Sequence, residues 1–256
     1  MFVHNIDPVL VSIGPFEIRY YGLFFVLGFV IAYFMLNYLV KKRKIGLTKD
    51  DIADFLLYII IGTVLGARIL YVFAYNLPFY LQNPFEIIAI WHGGLSFHGG
   101  FIGAAIACFY FCKKKKIDFY TIADIAVIPL ALGLALGRLG NFTNGELYGR
   151  VTGVSWGVKF PDAEGFRHPS QIYEALKNLF IFFTLWFLKN KDLPKGFLFW
   201  LFVVMYSALR FFVEFFRQPD EQLGFIIGFL SMGQVLSIVM FIIGIFFMYQ
   251  ISNKSH

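Results

Sequence analysis

The sequence predicts an all-α polytopic membrane protein with seven transmembrane helices. Apolar residues make up 59% of its 256 residues, and charged residues only 15%. Seven apolar segments are each long enough to cross about 30 Å of hydrocarbon. Lysine and arginine concentrate in short runs between these segments, which is typical of membrane proteins. A water-soluble domain of this composition would expose too much apolar surface, so we expect a single integral membrane domain over residues 1–256.

The predicted spans follow one another without an internal repeat. Their approximate bounds are 18–40, 52–73, 95–112, 119–137, 171–188, 196–216 and 225–250. The apolar stretch 85–91 is too short to cross a bilayer, and we expect it to lie at the membrane interface.

Basic residues predict the orientation of the chain. With seven spans, the four regions that hold most of them fall on one side, in loops one, three and five and in the tail: Lys41, Lys42, Arg43, Lys44, Lys49, Lys113 to Lys116, Lys189, Lys191, Lys195 and Lys254. Positive charge marks the cytoplasmic side, so the N-terminus is expected outside and the C-terminus in the cytoplasm. Residues 141–168 then form an extracytoplasmic loop between spans four and five, long enough to make a small head or cap region.

The net charge of +6 does not indicate a nucleic-acid partner, because the basic residues are spread over membrane loops and form no single soluble face. Polar side chains from five segments are instead expected at one depth on the outer side. The densest group is Gly137–Glu146, which follows a long apolar run. Ionisable residues at such a boundary are costly to bury, which marks them as candidates for a functional site.

Charge counting suggests an anionic ligand. Arg210, Glu214 and Arg217 share one helix face at i, i+4 and i+7, which is also compatible with a purely structural ion pair. Four arginines face only two glutamates in the predicted outer cluster: Arg68, Arg138, Arg210 and Arg217 with Glu146 and Glu214. The surplus of two positive charges suits a phosphate, although Asp124 is a candidate to balance part of it.

Histidines near the same side allow two interpretations. His98 has the chemistry of a general base, but a packed, hydrogen-bonded histidine is the commoner role. The glycines around it are explained by close helix packing. His92, His98 and His168 lack the spacing of metal ligands, so no metal site is expected. The segment from His168 opens span five, with Ser170 as a possible helix cap.

Four motifs, in order along the whole chain, resemble the prolipoprotein diacylglyceryl transferase family. They are Phe97–Gly100, Gly137–Glu146, His168–Glu174 and Arg210–Arg217, and the pair Tyr21-Gly22 also fits. The resemblance implies transfer of the diacylglyceryl group of phosphatidylglycerol to the lipobox cysteine thiol of prolipoproteins. The products are a thioether and glycerol 1-phosphate, in the first step of bacterial lipoprotein maturation. It implies an enzyme of the bacterial cytoplasmic (inner) membrane, with its active site on the outer side and no cofactor. We expect a monomer.

The resemblance also assigns roles to residues. The catalytic set is His98, Arg138, Arg210 and Glu214. The substrate-binding set is Arg138, Tyr21, Asn141, Glu146, Gly149, Arg217 and Arg68. A thiol reacts as the thiolate, so a base is needed, and His98, Glu146 and Glu214 all remain candidates for that role.

Two other classes of function fit the same residues. A secondary transporter of an anionic solute would use the arginines as a binding site, but the polar residues lie on one side and no inverted repeat is present. A non-catalytic membrane scaffold would use the arginine–glutamate pairs only to hold helices together.

Overall fold

The computed structural model describes residues 1–14, 16–218, 225–227 and 230–253. Positions 228 and 229 of predicted span seven, and Lys254 of the basic tail, lie outside these residues. The described parts contain eight α-helices: α1 Tyr20–Lys42, α2 Lys49–Tyr75, α3 Leu77–Gln82, α4 Phe97–Lys115, α5 Phe119–Thr143, α6 Ser170–Leu188, α7 Phe197–Val213 and α8 Met232–Asn253. They also contain six short strands: β1 Phe2–Val3, β2 Val9–Ile13, β3 Phe16–Arg19, β4 Val158–Lys159, β5 Phe225–Ile227 and β6 Leu230–Ser231.

Seven of these helices, all except α3, match the seven predicted segments in order. Four of them, α1, α2, α5 and α8, are long and apolar enough to cross a membrane by length and composition, among the residues described. Helix α7 is apolar but shorter. Helix α4 ends in lysines, and α6 carries a glutamate and a lysine within its apolar sequence. The fold is therefore mostly helical with several candidate spans.

Three predicted helix bounds were wrong. Helix α5 continues to Thr143 and does not end at 137, so Arg138 and Asn141 lie in its last turns. Helix α8 begins at Met232 and not at 225, because β5 and β6 pair in antiparallel orientation before it. Aromatic and β-branched residues in that stretch favour extended structure. Helix α7 ends at Val213, three residues early, because the chain tightens into i→i−3 hydrogen bonds, such as the one from Phe216 N–H to the Val213 carbonyl.

The chain divides into two compact units, Met1–Leu36 with Ala123–His256, and Asn37–Ile122. In the second unit, glycines let α2 and α4 approach closely, as the sequence predicted. A Cβ atom added to Gly66 would lie 2.3 Å from the Gly99 carbonyl oxygen. The stretch 85–91 of this unit forms short 3₁₀ turns over Pro84–Ile87 and Ile90–His92.

In the first unit, the rings of Trp200 on α7 and Phe247 on α8 stack with centroids 4.5 Å apart. Asp124 on α5 accepts hydrogen bonds from the backbone N–H groups of Gly196 (2.7 Å) and Phe199 (2.9 Å) at the start of α7. A carboxylate at a helix N-terminus satisfies backbone donors that otherwise lack partners. Asp124 therefore anchors the start of α7, and its share in balancing the arginines stays a prediction.

Residues 141–168 fold together with the N-terminus. Strand β4 pairs in parallel with β1 through Phe2 and Val158. The buried ring of His4 contacts the Phe142 carbonyl oxygen through Nε2 at 2.7 Å. A loop region was predictable here, but β1 and β4 were not, since each is only two residues long.

Candidate active site

Three basic side chains converge on the carboxylate of Glu174, in the second turn of α6. Its Oε1 atom accepts a hydrogen bond from Arg210 Nη1. Its Oε2 atom accepts one from Lys177 Nζ at 2.7 Å, and Arg138 Nε lies 3.9 Å from the same oxygen. The Glu174 and Lys177 side chains are each 2% exposed, whereas that of Arg138 is 24% exposed. So deeply buried a carboxylate is tolerated only because these partners offset its charge.

Lys177 is satisfied from two directions. Besides its bond to Glu174, its Nζ atom lies 3.9 Å from the centroid of the Tyr206 ring on α7. A desolvated ammonium over an aromatic face is a favourable cation–π contact. Lys177 and Glu174 thus form a neutral pair enclosed between α6 and α7.

Arg210 also contacts Glu214, the residue that ends α7, with Nη2 and Oε2 2.7 Å apart. Glu214 Oε1 accepts a hydrogen bond from the Ser231 hydroxyl at 3.0 Å, just before α8. Ser231 and Gln234 bond each other's backbone N–H groups, which is the capping-box arrangement. A Cβ atom on Gly233 would lie 2.8 Å from Glu214 Oε1. The N-terminus of α8 is thus shaped around this carboxylate.

The end of α5 carries a second network, which begins at Arg138. Arg138 Nη1 donates a long hydrogen bond of 3.5 Å to Asn141 Oδ1. The Asn141 amide donates to Glu146 Oε1 at 2.8 Å, and the Asn144 amide donates to the same oxygen at 3.3 Å. Gln171 on α6 donates to the Glu146 backbone oxygen at 2.7 Å. These bonds connect the turn after α5 to the start of α6.

Tyr21 lies against the last helical turn of α5. A Cβ atom added to Gly140 would be 2.8 Å from Tyr21 Cδ2 and 3.2 Å from Tyr21 Cα. Only glycine permits so close an approach between the first turn of α1 and the last turns of α5. Tyr21 is 40% exposed, so it remains accessible at the end of α5.

Gly149 lies between two backbone segments. Its N–H donates to the His168 carbonyl at 2.8 Å, and a Cβ atom there would be 2.3 Å from the Phe216 carbonyl oxygen. Gly149 also forms a bridge with Arg217, whose carbonyl accepts a hydrogen bond from Arg150 Nε at 3.0 Å. The close approach explains why this position is glycine.

His168 precedes α6, and its ring contacts those of Tyr173 and Phe216 in the first unit. Its Nδ1 atom lies 3.1 Å from the Tyr173 hydroxyl, which accepts a hydrogen bond from Trp156 Nε1 at 2.7 Å. Burial lowers the pKa of His168 from its ordinary value. The neutral imidazole is therefore favoured near pH 7, and its Nδ1 atom can accept a hydrogen bond from Tyr173. Ser170 starts α6 as predicted, but its hydroxyl donates to the Leu147 carbonyl (2.9 Å) and does not cap the helix.

Arg68, in the second unit, has a structural role. All five N–H groups of its buried guanidinium donate to carbonyl oxygens, those of Glu86, Ile87, Ala89, Gly93 and Gly94. Because no donor is left for a ligand, the structure argues against the predicted substrate-binding role of Arg68. Its guanidinium instead holds the turns before α4 in place.

His98 belongs to the second unit as well. It lies in the first turn of α4, after Ser96, whose hydroxyl accepts a hydrogen bond from the Gly99 N–H. The His98 side chain is exposed, and its ring centroid lies 5.9 Å from that of Phe97. Its predicted role as a base stays a prediction.

The charge balance of the first unit differs from the count made on the sequence. Arg217 is near enough to Arg210 and Arg138 to interact electrostatically. The network holds four basic groups and three carboxylates: Arg138, Lys177, Arg210 and Arg217 with Glu146, Glu174 and Glu214. One positive charge remains instead of two, so an anionic ligand is still favoured. Within the described residues, no group of three His, Cys, Asp or Glu side chains is placed to hold a metal ion.

Known proteins match this chain over almost its whole length. The family model for prolipoprotein diacylglyceryl transferase matches residues 8–250. A phosphatidylglycerol–prolipoprotein diacylglyceryl transferase of Geobacter sulfurreducens is 48% identical over 243 residues, which cover 94% of each chain. The proteins of that name from Desulfotalea psychrophila and Rickettsia canadensis are each 44% identical, over 94% and 95% of this chain and 91% and 96% of their own lengths.

The chain belongs to the prolipoprotein diacylglyceryl transferase family. Together with the apolar helices, this membership identifies a multi-pass membrane enzyme. Of the residues that the family resemblance singled out, the first unit brings together Tyr21, Arg138, Asn141, Glu146, Gly149, Arg210, Glu214 and Arg217. Their functional roles remain predictions.

Glu174 and Lys177 were missed as site residues by the sequence analysis. Glu174 lies in a motif shared with the prolipoprotein diacylglyceryl transferase family, but its segment was interpreted as a helix start. The available signal was a glutamate and a lysine at i, i+3 in an apolar helix, a pair too costly to bury without a reason.

Proposed function

We propose that this protein transfers the diacylglyceryl group of phosphatidylglycerol to the lipobox cysteine of prolipoproteins, the first step of bacterial lipoprotein maturation. The thiol sulfur attacks the carbon of the diacylglyceryl group that is bonded to the phosphate oxygen. A C–S bond forms as the C–O bond breaks, and the electron pair leaves with glycerol 1-phosphate. The thiol proton passes to a base, so atoms and charges balance.

The observation that carries this proposal is the state of Arg138. Among the described residues, its guanidinium has only the long bond to Asn141 and the 3.9 Å approach to Glu174. Most of its five N–H donors are therefore left for an anion, in a network with one surplus positive charge. A planar guanidinium suits a phosphate ester, and its charge stabilises the oxygen that becomes negative as the C–O bond breaks.

Arg210 is proposed to share this task, oriented by Glu174 and Glu214. Asn141 and Glu146 would hydrogen-bond the glycerol hydroxyls, with Tyr21 beside them at the lipid interface. Gly149 would contribute by letting the backbone approach closely beside Arg217.

His98 is the proposed base for the thiol. Its exposed imidazole makes no hydrogen bond to the residues described, whereas Glu146 and Glu214 are each hydrogen-bonded as acceptors. A neutral imidazole nitrogen has a lone pair that can accept the thiol proton.

The proposed setting is the bacterial cytoplasmic membrane. A monomer would cross it seven times, with the N-terminus outside, the C-terminus in the cytoplasm and residues 141–168 as a small head on the outer side. The basic loops support this orientation, because with seven spans they share one side and positive charge favours the cytoplasmic side. Phosphatidylglycerol and the lipobox peptide, both held by the membrane, would then reach the site from the outer leaflet.

Reconstitution tests the proposal. Purified protein is mixed with phosphatidylglycerol vesicles and a lipobox peptide, and thioether product is measured by mass spectrometry. A peptide with Cys→Ser at the lipobox serves as control. We expect product only with the cysteine peptide, released together with glycerol 1-phosphate. Uptake of an anionic solute by the vesicles without any thioether product would instead favour the transporter.

A further inference from the structure

Glu174 is the point at which three cations of the first unit meet. Resting on the proposed function, we propose that Glu174 is a positioning residue that holds the guanidinium groups of Arg138 and Arg210 at one spacing for the phosphate ester. We further propose that Lys177 neutralises Glu174, so that the two arginines keep their charge for the ligand.

The geometry assigns each carboxylate oxygen a separate task. Oε1 is occupied by Arg210, from α7. Oε2 is occupied by Lys177 at 2.7 Å and lies 3.9 Å from Arg138, at the end of α5. One buried carboxylate therefore sets the separation of two arginines that come from different helices.

Helix α6 is itself fixed relative to the turn that follows Arg138. The Ser170 hydroxyl donates to the Leu147 carbonyl at 2.9 Å, and the Gln171 amide donates to the Glu146 carbonyl at 2.7 Å. Glu174 lies one turn further along α6. It is therefore held on a rigid element, which is what accurate positioning of two charged groups requires.

Burial separates the tasks of the four side chains. Glu174 and Lys177 are each 2% exposed, so neither is available to a substrate. The side chains of Arg138 and Arg210 are 24% and 15% exposed. Without Lys177, the negative charge of Glu174 would cancel the one surplus positive charge of the network. The lysine thus preserves the attraction for an anion without contacting it.

A charge-balanced double variant separates positioning from assembly. Glu174→Gln with Lys177→Met removes both buried charges and nearly keeps their volumes, a change that proteins often tolerate. We expect a protein with near-normal thermal unfolding in detergent. Its kcat should fall on the order of 100-fold, since small misplacements of catalytic groups have effects of that size.

The inhibition constant of glycerol 1-phosphate provides a measurement that a partly misassembled sample would not alter. We expect it to rise about tenfold in the double variant, as for the loss of one charge-assisted hydrogen bond. Lys177→Met alone should also raise the inhibition constant of glycerol 1-phosphate. The Glu174 carboxylate then offsets part of the positive charge of the arginines, which bind the phosphate less strongly.

A matched control is available in the second unit. Asp51 and Lys115 form another carboxylate–lysine pair, away from every proposed site residue in the sequence. Asp51→Asn with Lys115→Met should leave both kcat and the inhibition constant at the wild-type values.

The outcomes distinguish this inference from the proposed function. Absence of thioether product with the wild-type protein would defeat the proposed function itself. An active wild type, together with a double variant of unchanged kcat and inhibition constant, would overturn the role of Glu174.

If the double variant fails to assemble, Glu174→Asp provides the test. This variant keeps the negative charge but shortens the side chain, so it should lower kcat and raise the inhibition constant. Wild-type values for Glu174→Asp would contradict the inference.

Discussion

The Nη2 atom of Arg210 lies 2.7 Å from the Oε2 atom of Glu214, four residues further along the chain at the end of α7. The Ser231 hydroxyl holds the other oxygen of this carboxylate at the start of α8. Arg210 is thus fixed between Glu214 on one side and Glu174 on the other. A guanidinium that two carboxylates already hold in place loses little conformational freedom when it binds a ligand.

Neutralising Glu214 tests whether this restraint matters. Glu214→Gln keeps the shape of the side chain but removes the charge that orients Arg210. We expect kcat for lipid transfer to fall on the order of 10- to 100-fold through misplacement of Arg210. Ser231→Ala removes only one hydrogen bond to Glu214 and should cost less than Glu214→Gln. Equal kcat values for wild type and Glu214→Gln would contradict a role of Glu214 in catalysis.

Gly149 offers a prediction about stability. In Gly149→Ala the new Cβ atom would lie 2.3 Å from the Phe216 carbonyl, so the backbone must shift. The expected loss is about 1–3 kcal/mol in the free energy of unfolding, measured by thermal unfolding in detergent. Gly153→Ala is the control, because a Cβ atom there meets nothing within 4 Å. Similar unfolding temperatures for the two variants would show that the close approach of Gly149 to the Phe216 carbonyl does not require glycine.

Arg68 gives a prediction that distinguishes structure from binding. Arg68→Ala removes the guanidinium from five carbonyl oxygens, of which those of Glu86 and Ala89 keep a backbone donor. Hydrogen exchange should therefore accelerate over residues 86–94. The exposed residue Arg19 provides the control, and Arg19→Ala should leave exchange in that segment unchanged. If Arg68→Ala instead kept normal hydrogen exchange and only raised KM for phosphatidylglycerol, the result would support a substrate-binding role for Arg68.

His168 gives a prediction about pH. Burial lowers its pKa below the ordinary value of about 6.5. As pH falls through 6.5, the unfolded chain takes up this proton before the folded protein does. The contribution of neutral His168 to the free energy of unfolding is therefore complete above pH 6.5, and it is lost as the pH falls toward the lowered pKa. NMR titration of labelled histidines, assigned with a His168→Gln variant, should give a pKa below 6.5; a value of 6.5 or higher would refute the burial argument.

Much of the helical framework was predictable from the sequence, because long apolar segments and basic loops are properties of local composition. The Arg210–Glu214 pair was also predictable, since i, i+4 spacing places both residues on one helix face. The same local reasoning placed Ser170 at the start of α6 but assigned the wrong task to its hydroxyl.

Contacts between distant segments were not accessible in that way. Nothing local to Arg68 reveals that five carbonyls of a later turn enclose its guanidinium. Nothing local to Glu174 reveals that it faces Arg210, 36 residues away. Charge counting also assumed that every arginine faced one cavity, and it overlooked a glutamate and a lysine that neutralise each other inside the protein.

The central claim is that Arg138 binds the phosphate ester that leaves as glycerol 1-phosphate. The most direct measurement is thioether formation by purified Arg138→Ala and Arg138→Lys proteins in phosphatidylglycerol vesicles, with thermal unfolding measured on the same samples. We predict that both variants are folded, that Arg138→Ala forms no detectable product, and that Arg138→Lys retains only a small part of the activity because it lacks the planar fork. Product formation at the wild-type rate by a folded Arg138→Ala protein would contradict the account.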